Sequence, residues 1–256
     1  MTESTLFDLR GKIALVIGSS RGIGEAAARA LAGYGALVIV ASRDGTACEL
    51  VAASIRAGGG KAEARTCHMG QLEQIEALYA AIEQTHGRVD VVVNNAGIMP
   101  YFGPIADTDL RAFDKTIDVN VRGYFYSCVH AVRLMARHGG GSIVNVASIN
   151  AVQPGALLGV YSVSKAAVVS MTQAFAKECA RDGIRVNALL PGPTATRLAA
   201  PLMNDPVAMG QLLPRVPMGR MGLPEEMAGA IVYFASSASS FTTGACLPVD
   251  GGVLLG

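Results

Sequence analysis

The chain has 256 residues, 51% of them apolar and only 16% charged, a balance that supplies a sizeable core and rules against a disordered polypeptide. A formal net charge of +1 rules against the clustered excess of base that nucleic acid or an acidic membrane surface requires. Lys12–Ile17 is a short apolar run that reads as a first buried strand, with the pattern of a helix behind it over Gly22–Gly33. Val38–Ala41 reads as a second strand, and Thr46–Ala57 as a helix that Gly58-Gly59-Gly60 stops. A third strand is expected before His68, then a helix over Gln71–Thr85 and a fourth strand over Val89–Val93. Asp118–Arg137 is predicted as one helix, stopped by Gly139-Gly140-Gly141 and followed by a strand at Ser142–Ala147. Val160–Arg181 and Arg185–Leu190 repeat the alternation, and Pro224–Ser236 with Cys246–Val249 ends it. Strands alternating with helices, without linker or repeat, predict one α/β domain over residues 1–256. Its core is a doubly wound parallel sheet of about seven strands with helices on both faces.

The one long irregular stretch is Pro191–Met221, which is rich in proline. A loop of that length in a compact domain is usually functional, so 191–221 is expected to be a substrate-binding lid region. Its apolar residues Leu198, Leu202, Met203, Met209, Leu212 and Leu213 either form short helices over an apolar ligand or pack on the core or another subunit. The five cysteines (Cys48, Cys67, Cys128, Cys179, Cys246) are scattered and lack metal-ligand spacing, so they read as reduced buried thiols and no metal site is expected. Met1–Arg10 has no basic start followed by an apolar run, and no apolar stretch reaches the roughly 18 residues of a membrane span. No targeting tripeptide closes the chain, and a cytoplasmic location is expected.

Gly18-Ser19-Ser20-Arg21-Gly22-Ile23-Gly24 joins the first strand to the first helix. Gly18 allows the tight turn, and Gly22 and Gly24 let backbone approach a pyrophosphate. The helix N-terminus adds free N–H groups and a favourable dipole. In that strand–turn–helix setting the glycines mark a dinucleotide site of the Rossmann type. About 20 residues on, where an acid would bind the adenosine ribose of NAD, the chain reads Val40-Ala41-Ser42-Arg43. Arg43 can clamp a 2′-phosphate, Ser42 can donate to it, and Arg21 can approach it from the other side, so NADP(H) is the preferred cofactor. NAD(H) is the alternative, with Asp44 on the ribose hydroxyls and both arginines solvated.

Tyr161 and Lys165 are four residues apart, which puts both side chains on one face of a helix. A phenol with a pKa near 10 is a poor proton-transfer group at neutral pH. An ammonium one turn away favours the phenolate and brings the phenol toward neutrality. Ser148, thirteen residues before the tyrosine, can hold a carbonyl oxygen against the phenol.

These residues resemble the classical short-chain dehydrogenase/reductase (SDR) family, from Lys12 to Gly252. Besides the glycine turn, the resemblance takes in Asn94-Asn95-Ala96-Gly97, Asn120 within Asp118-Val-Asn-Val, and Ser148 with Tyr161 and Lys165. It continues through Pro191-Gly192 with Thr196 to Val249-Asp250-Gly251-Gly252. Ala41-Ser42-Arg43, Cys67-His68 and Pro100-Tyr101-Phe102-Gly103 are similar to the carbonyl and retinal reductase branch. The resemblance implies that Tyr161 gives the proton in reduction and takes it in oxidation. Lys165 lowers its pKa and bonds the nicotinamide ribose, and Ser148 polarises the substrate carbonyl. Asn120 holds a water linking Lys165 to solvent, or is a buried amide satisfying backbone. Ser20, Arg21 and Ile23 join the turn glycines at the cofactor; Asn95, Ala96 and Gly97 wall the adenosine ribose. Thr196 and Thr194, behind Pro191 and Gly192, anchor the carboxamide. His68, where relatives often carry an acid, and Met69 lie near the adenine, or His68 is a surface histidine. Asp250 orders the C-terminal turn or a subunit contact.

On the substrate side, Met99, Tyr101, Phe102, Val152, Gln153 and Leu157 suggest a mostly apolar pocket, joined by Leu198 and Leu202. Asn150 either touches the substrate or braces its loop. The expected activity is NADP(H)-dependent hydride transfer to a ketone or aldehyde, or from the corresponding alcohol in reverse. A 3-oxoacyl-thioester reductase and a non-catalytic NADP-binding protein are the alternatives. The resemblance also implies a homotetramer built through two long helices and the C-terminal strand.

Overall fold

A computed structural model describes residues 6–255. The expectation for Met1–Arg10 lies partly, and the final glycine wholly, outside these residues. The strands are β1 Ile13–Ile17, β2 Leu37–Ser42, β3 Lys61–Thr66, β4 Val91–Asn94, β5 Gly141–Val146, β6 Ile184–Pro191 and β7 Cys246–Val249. The helices are α1 Gly22–Gly33, α2 Gly45–Ala57, α3 Leu72–His86, α4 Leu110–Ile117, α5 Gly123–Ala136, α6 Gly159–Cys179, α7 Ala200–Met203, α8 Pro206–Leu212 and α9 Pro224–Ala235. The strands form one parallel sheet in the order β3-β2-β1-β4-β5-β6-β7. The order reverses between β1 and β4, which opens a crevice at the carboxyl ends of these strands, the usual ligand position in such sheets.

Period-two alternation within continuous apolar strands builds two cores. Leu15, Ile17, Ile39, Val92 and Ile143 face one side of the sheet, where α3, α5 and α6 contribute Ile75, Cys128 and Val168. Ala14, Val16, Val38, Val40 and Val93 face the other, against Ala28 and Leu31 of α1, Val51 of α2 and Ile231 of α9. Each fully buried Leu or Ile contributes about 1.5–3 kcal/mol, so the sheet is a rigid base for the loops at its carboxyl edge.

Two stretches depart from expectation. The predicted helix Asp118–Arg137 is preceded by α4, and a π-helical turn over Asp118–Arg122 joins α4 to α5. Asp109 starts α4 by accepting from Arg111 N at 3.0 Å. Leu110, Phe113 and Ile117 of α4 recur at helical spacing, a pattern passed over in the sequence, and Leu110 and Phe113 are exposed in the fold. Val89 and Asp90 precede β4 instead of opening it. Asp90 takes Ile13 N at 2.9 Å and pairs with Lys12 and Arg88, which ties the strand entry to β1.

Within 191–221, Pro191 belongs to β6, and α7 and α8 follow. Asp205 caps α8, accepting from Val207 N at 2.9 Å, with Pro206 behind it. A bridge between Thr194 and Gly222 closes the base of the stretch.

Candidate active site

Gly18 leaves β1 with φ 90°, and a Cβ there would sit 2.5 Å from Ala96 N. A Cβ on Gly24 would meet Gly18 O and, at 2.5 Å, Asn95 Nδ2. Only glycine fits these two positions, because the turn is pressed against the segment after β4. Asn95 Nδ2 donates to Gly18 O at 2.8 Å, and Gly18 N donates to Ala41 O at 2.7 Å. The buried Ser19 ties the same turn to Val16 O and Ala41 N. Arg21 begins α1 without a side-chain cap, so the N–H groups of Gly22, Ile23 and Gly24 receive no capping side chain. Ser20 and Ile23 are half-buried beside them. A cavity of about 320 Å³ lies between this turn and the stretch after β6, bringing together Arg21, Gly22, Thr196 and Arg197. A cradle that excludes any Cβ, facing uncapped helix donors, fits a dinucleotide.

At the end of β2, Ser42 is buried and takes Cys48 Sγ at 3.1 Å, while Arg43 is exposed. Neither Arg21 nor Arg43 forms an ion pair among the described residues. Asp44 caps α2 by accepting from Ala47 N at 3.0 Å. The His68 backbone N–H donates to Gln74 Oε1 at 2.8 Å, and its Nδ1 accepts from Gly70 N at 3.1 Å, so one ring nitrogen is spent on its own loop. The Met69 side chain is buried in the core, which leaves only its backbone to face a ligand. Gly192 packs against Asp250, and Thr194 Oγ1 donates to Gly192 O at 2.9 Å. Asp250 accepts from Gly252 N and Leu254 N, both at 2.9 Å, which is the ordering of the C-terminal turn expected of it.

Ser148 lies just past β5 and is 6% exposed. Its Oγ accepts from Asn150 N at 3.1 Å and from Asn150 Nδ2 at 3.3 Å. Asn150 Oδ1 in turn accepts from Gly155 N at 3.1 Å, so Asn150 braces the loop. Tyr161 and Lys165 project from the first turns of α6. Lys165 is 3% exposed, and its Nζ donates to Val146 O at 2.8 Å. Burial lowers the Lys165 pKa from 10.5 to about 7. The Tyr161 pKa moves up, against the sequence expectation: burial raises it, and the Ser148 hydroxyl only partly offsets this. The lysine sends its proton to the Val146 carbonyl and stands 5.8 Å from the Tyr161 ring centre.

Asn120 sits in the π-helical turn, fully buried. Its Oδ1 accepts from Ile98 N at 3.0 Å, and its Nδ2 donates to Ile98 O at 2.9 Å and Ser164 Oγ at 3.1 Å. The amide therefore clamps the Gly97–Ile98 wall to α6. Ser164 completes the clamp by donating to Tyr161 O at 2.7 Å. Sequence reasoning passed over Ser164, although it sits inside Tyr161-Ser-Val-Ser-Lys165 and three residues from the phenol.

On the substrate side, Met99 is half-buried and Gln153 exposed. Tyr101 OH donates to Pro104 O at 2.9 Å, so this hydroxyl is committed to its own loop. Leu157 has φ 66°, alone among the described non-glycine residues in that region. Its carbonyl accepts from Gly103 N at 3.0 Å and joins the two loops beside Ser148. Leu198 is exposed and Leu202 half-buried in the stretch after β6. No helix among the described residues is long and apolar enough to cross a membrane.

A crevice at the switch point, a glycine cradle on a helix N-terminus and a serine–tyrosine–lysine cluster define a dinucleotide-dependent oxidoreductase. A family model described as enoyl-(acyl carrier protein) reductase matches residues 17–254. Bovine (Bos taurus) dehydrogenase/reductase SDR family member 4 is 39% identical over 246 residues, covering 96% of this chain and 88% of that protein. The L-rhamnose 1-dehydrogenase (NAD(P)(+)) of Azotobacter vinelandii is 40% identical over 249 residues, covering 95% and 97%. The crystal structure of a gluconate 5-dehydrogenase from Burkholderia cenocepacia, in complex with NADP and tartrate, superposes with a TM-score of 0.95 at 32% identity, covering 99% of each chain. The chain belongs to the short-chain dehydrogenase/reductase family and is an oxidoreductase.

Proposed function

We propose that the protein is an NADP(H)-dependent reductase of ketones or aldehydes, and an alcohol dehydrogenase in reverse, with Tyr161 as general acid and base. The convergence of Ser148, Tyr161 and Lys165 at the end of β5, beside the glycine cradle, carries this reading. Ser148 Oγ accepts from two Asn150 donors, and the hydrogen it gives the Tyr161 phenol can turn to a substrate carbonyl oxygen. Tyr161 delivers the proton to that oxygen in reduction and removes it in oxidation. A bound nicotinamide cofactor supplies the hydride. Lys165, when charged, offers the phenolate a nearby positive field in a water-poor site. Asn120 fixes the Gly97 wall beside Lys165, and with its amide satisfied, any water would be held by its backbone.

Arg43 and Arg21 favour NADP(H), because both are free to meet a 2′-phosphate while Asp44 is occupied as a helix cap. Gly18, Ser20, Gly22, Ile23, Gly24, Ser42, His68, the Met69 backbone, Asn95, Ala96, Gly97, Pro191, Gly192, Thr194 and Thr196 complete the cofactor contacts. The stretch 191–221 acts as the lid, bringing Leu198 and Leu202 over a substrate that Met99, Tyr101, Asn150 and Gln153 border. The exposed Phe125, packed on Phe175 of α6, suits a homotetramer formed through α5 and α6 with the β7 edge. We assign the protein to the cytoplasm, in keeping with its free cysteines.

The test is a panel of ketones, aldehydes, sugar acids and a 3-oxoacyl thioester, run with NADPH and NADH in parallel. Turnover of a simple carbonyl with NADPH preferred supports the reading. Turnover restricted to the thioester, or a strong NADH preference, overturns it.

A further inference from the structure

Lys165 has a second aromatic neighbour besides Tyr161. Tyr124 lies on α5, four residues past Asn120, and is fully buried. Its hydroxyl donates to Val146 O at 3.3 Å, the same oxygen that receives Lys165 Nζ at 2.8 Å. A carbonyl has two lone pairs, so both donors fit. Lys165 Nζ lies 5.2 Å from the Tyr124 ring centre, nearer than its 5.8 Å to the Tyr161 ring. Both are inside the roughly 6 Å reach of a cation–π contact. The π-helical turn before α5 sets this register, and such turns recur at functional sites.

The groups around the ammonium are few. Its own helix presents Tyr161, α5 presents Tyr124, and the end of β5 presents the Val146 carbonyl. The wall after β4 presents Gly97 and the uncharged Asn120. Among the described residues no carboxylate pairs with Lys165, and burial is the sole cause of its lowered pKa. A carboxylate there would cancel the field that the lysine exerts on the Tyr161 phenol. A neutral ring supports the charge and leaves that field intact.

We propose that Tyr124 is a positioning residue for Lys165 through its ring, which faces the ammonium in place of a counter-ion. The proposal rests on the reading of Lys165 as the partner of Tyr161.

The test is an NMR titration of cofactor-free protein carrying ε-13C lysine, with the Lys165 signal assigned by Lys165→Met. It compares wild type with Tyr124→Phe, which keeps the ring, and Tyr124→pentafluorophenylalanine, which keeps the shape and reverses the ring quadrupole. The expected result is a Lys165 midpoint that Tyr124→Phe leaves in place and the fluorinated variant lowers by about 0.5 to 1 pH unit. The alkaline fall of carbonyl reduction should move down with it, because the reducing form carries the protonated lysine. A midpoint unmoved by fluorination, or moved equally by Tyr124→Phe, overturns the proposal. The titration needs no turnover, so its failure is separate from a failure of the reductase reading.

Discussion

Asn150 donates to Ser148 Oγ twice, from its backbone N–H at 3.1 Å and its side-chain amide at 3.3 Å. These bonds hold the serine hydroxyl beside the Tyr161 phenol. Asn150→Ala removes the side-chain donor and the brace to Gly155, and should lower kcat/KM about tenfold with cofactor affinity unchanged. Steady-state kinetics over a range of carbonyl concentrations at saturating NADPH, alongside cofactor titration by fluorescence, check this. Loss of cofactor binding in the variant would place Asn150 elsewhere.

Arg43 is exposed and free of ion pairs, whereas Asp44 is spent capping α2. Charge-assisted bonds to a phosphate are worth about 1.5–3 kcal/mol. Arg43→Ala should therefore weaken NADPH by about 10- to 100-fold and leave NADH nearly unchanged, as binding constants for the two cofactors will show.

Lys165 has a pKa lowered from 10.5 to about 7 by burial, which makes a stability statement. Between pH 7 and 10.5 the unfolded chain holds a proton at this side chain that the folded chain has released. Folded stability from this group therefore rises with pH across that window, and its burial penalty is felt in full below 7. Lys165→Met should remove the penalty, so its Tm advantage over wild type grows as pH falls from 9 to 6, while turnover is lost. Thermal unfolding at three pH values tests it; a difference independent of pH would contradict the assignment.

Leu157 holds a positive φ at the joint between two substrate-side loops. A β-branched residue is poorly tolerated there. Leu157→Val should cost about 1–3 kcal/mol and raise substrate KM, whereas Leu157→Gly relieves the backbone strain and stays close to wild type in stability. Chemical denaturation of both variants decides between strain and side-chain packing.

Much of this was legible in the chain. Gly22 and Gly33 bound α1 as expected, because glycine turns mark both of its ends. The cluster of Ser148, Tyr161 and Lys165 could be read because helical spacing places two of the three on one face. Helix α4 was legible too, since Leu110, Phe113 and Ile117 recur at helical spacing, but that pattern was passed over. Tyr124 escaped notice because its burial depends on a π-helical register that no local pattern announces. The direction of the Tyr161 shift was misjudged for a related reason: spacing reveals a neighbouring charge, but burial emerges only once the sheet and helices close around the site.

The most direct test of the account is Tyr161→Phe, measured for carbonyl reduction and for NADPH binding in the same preparation. Removing one hydroxyl leaves the glycine cradle and Lys165 in place. Turnover is expected to fall by about 10³-fold or more with NADPH affinity kept within a few-fold. Turnover surviving near the wild-type rate would contradict it.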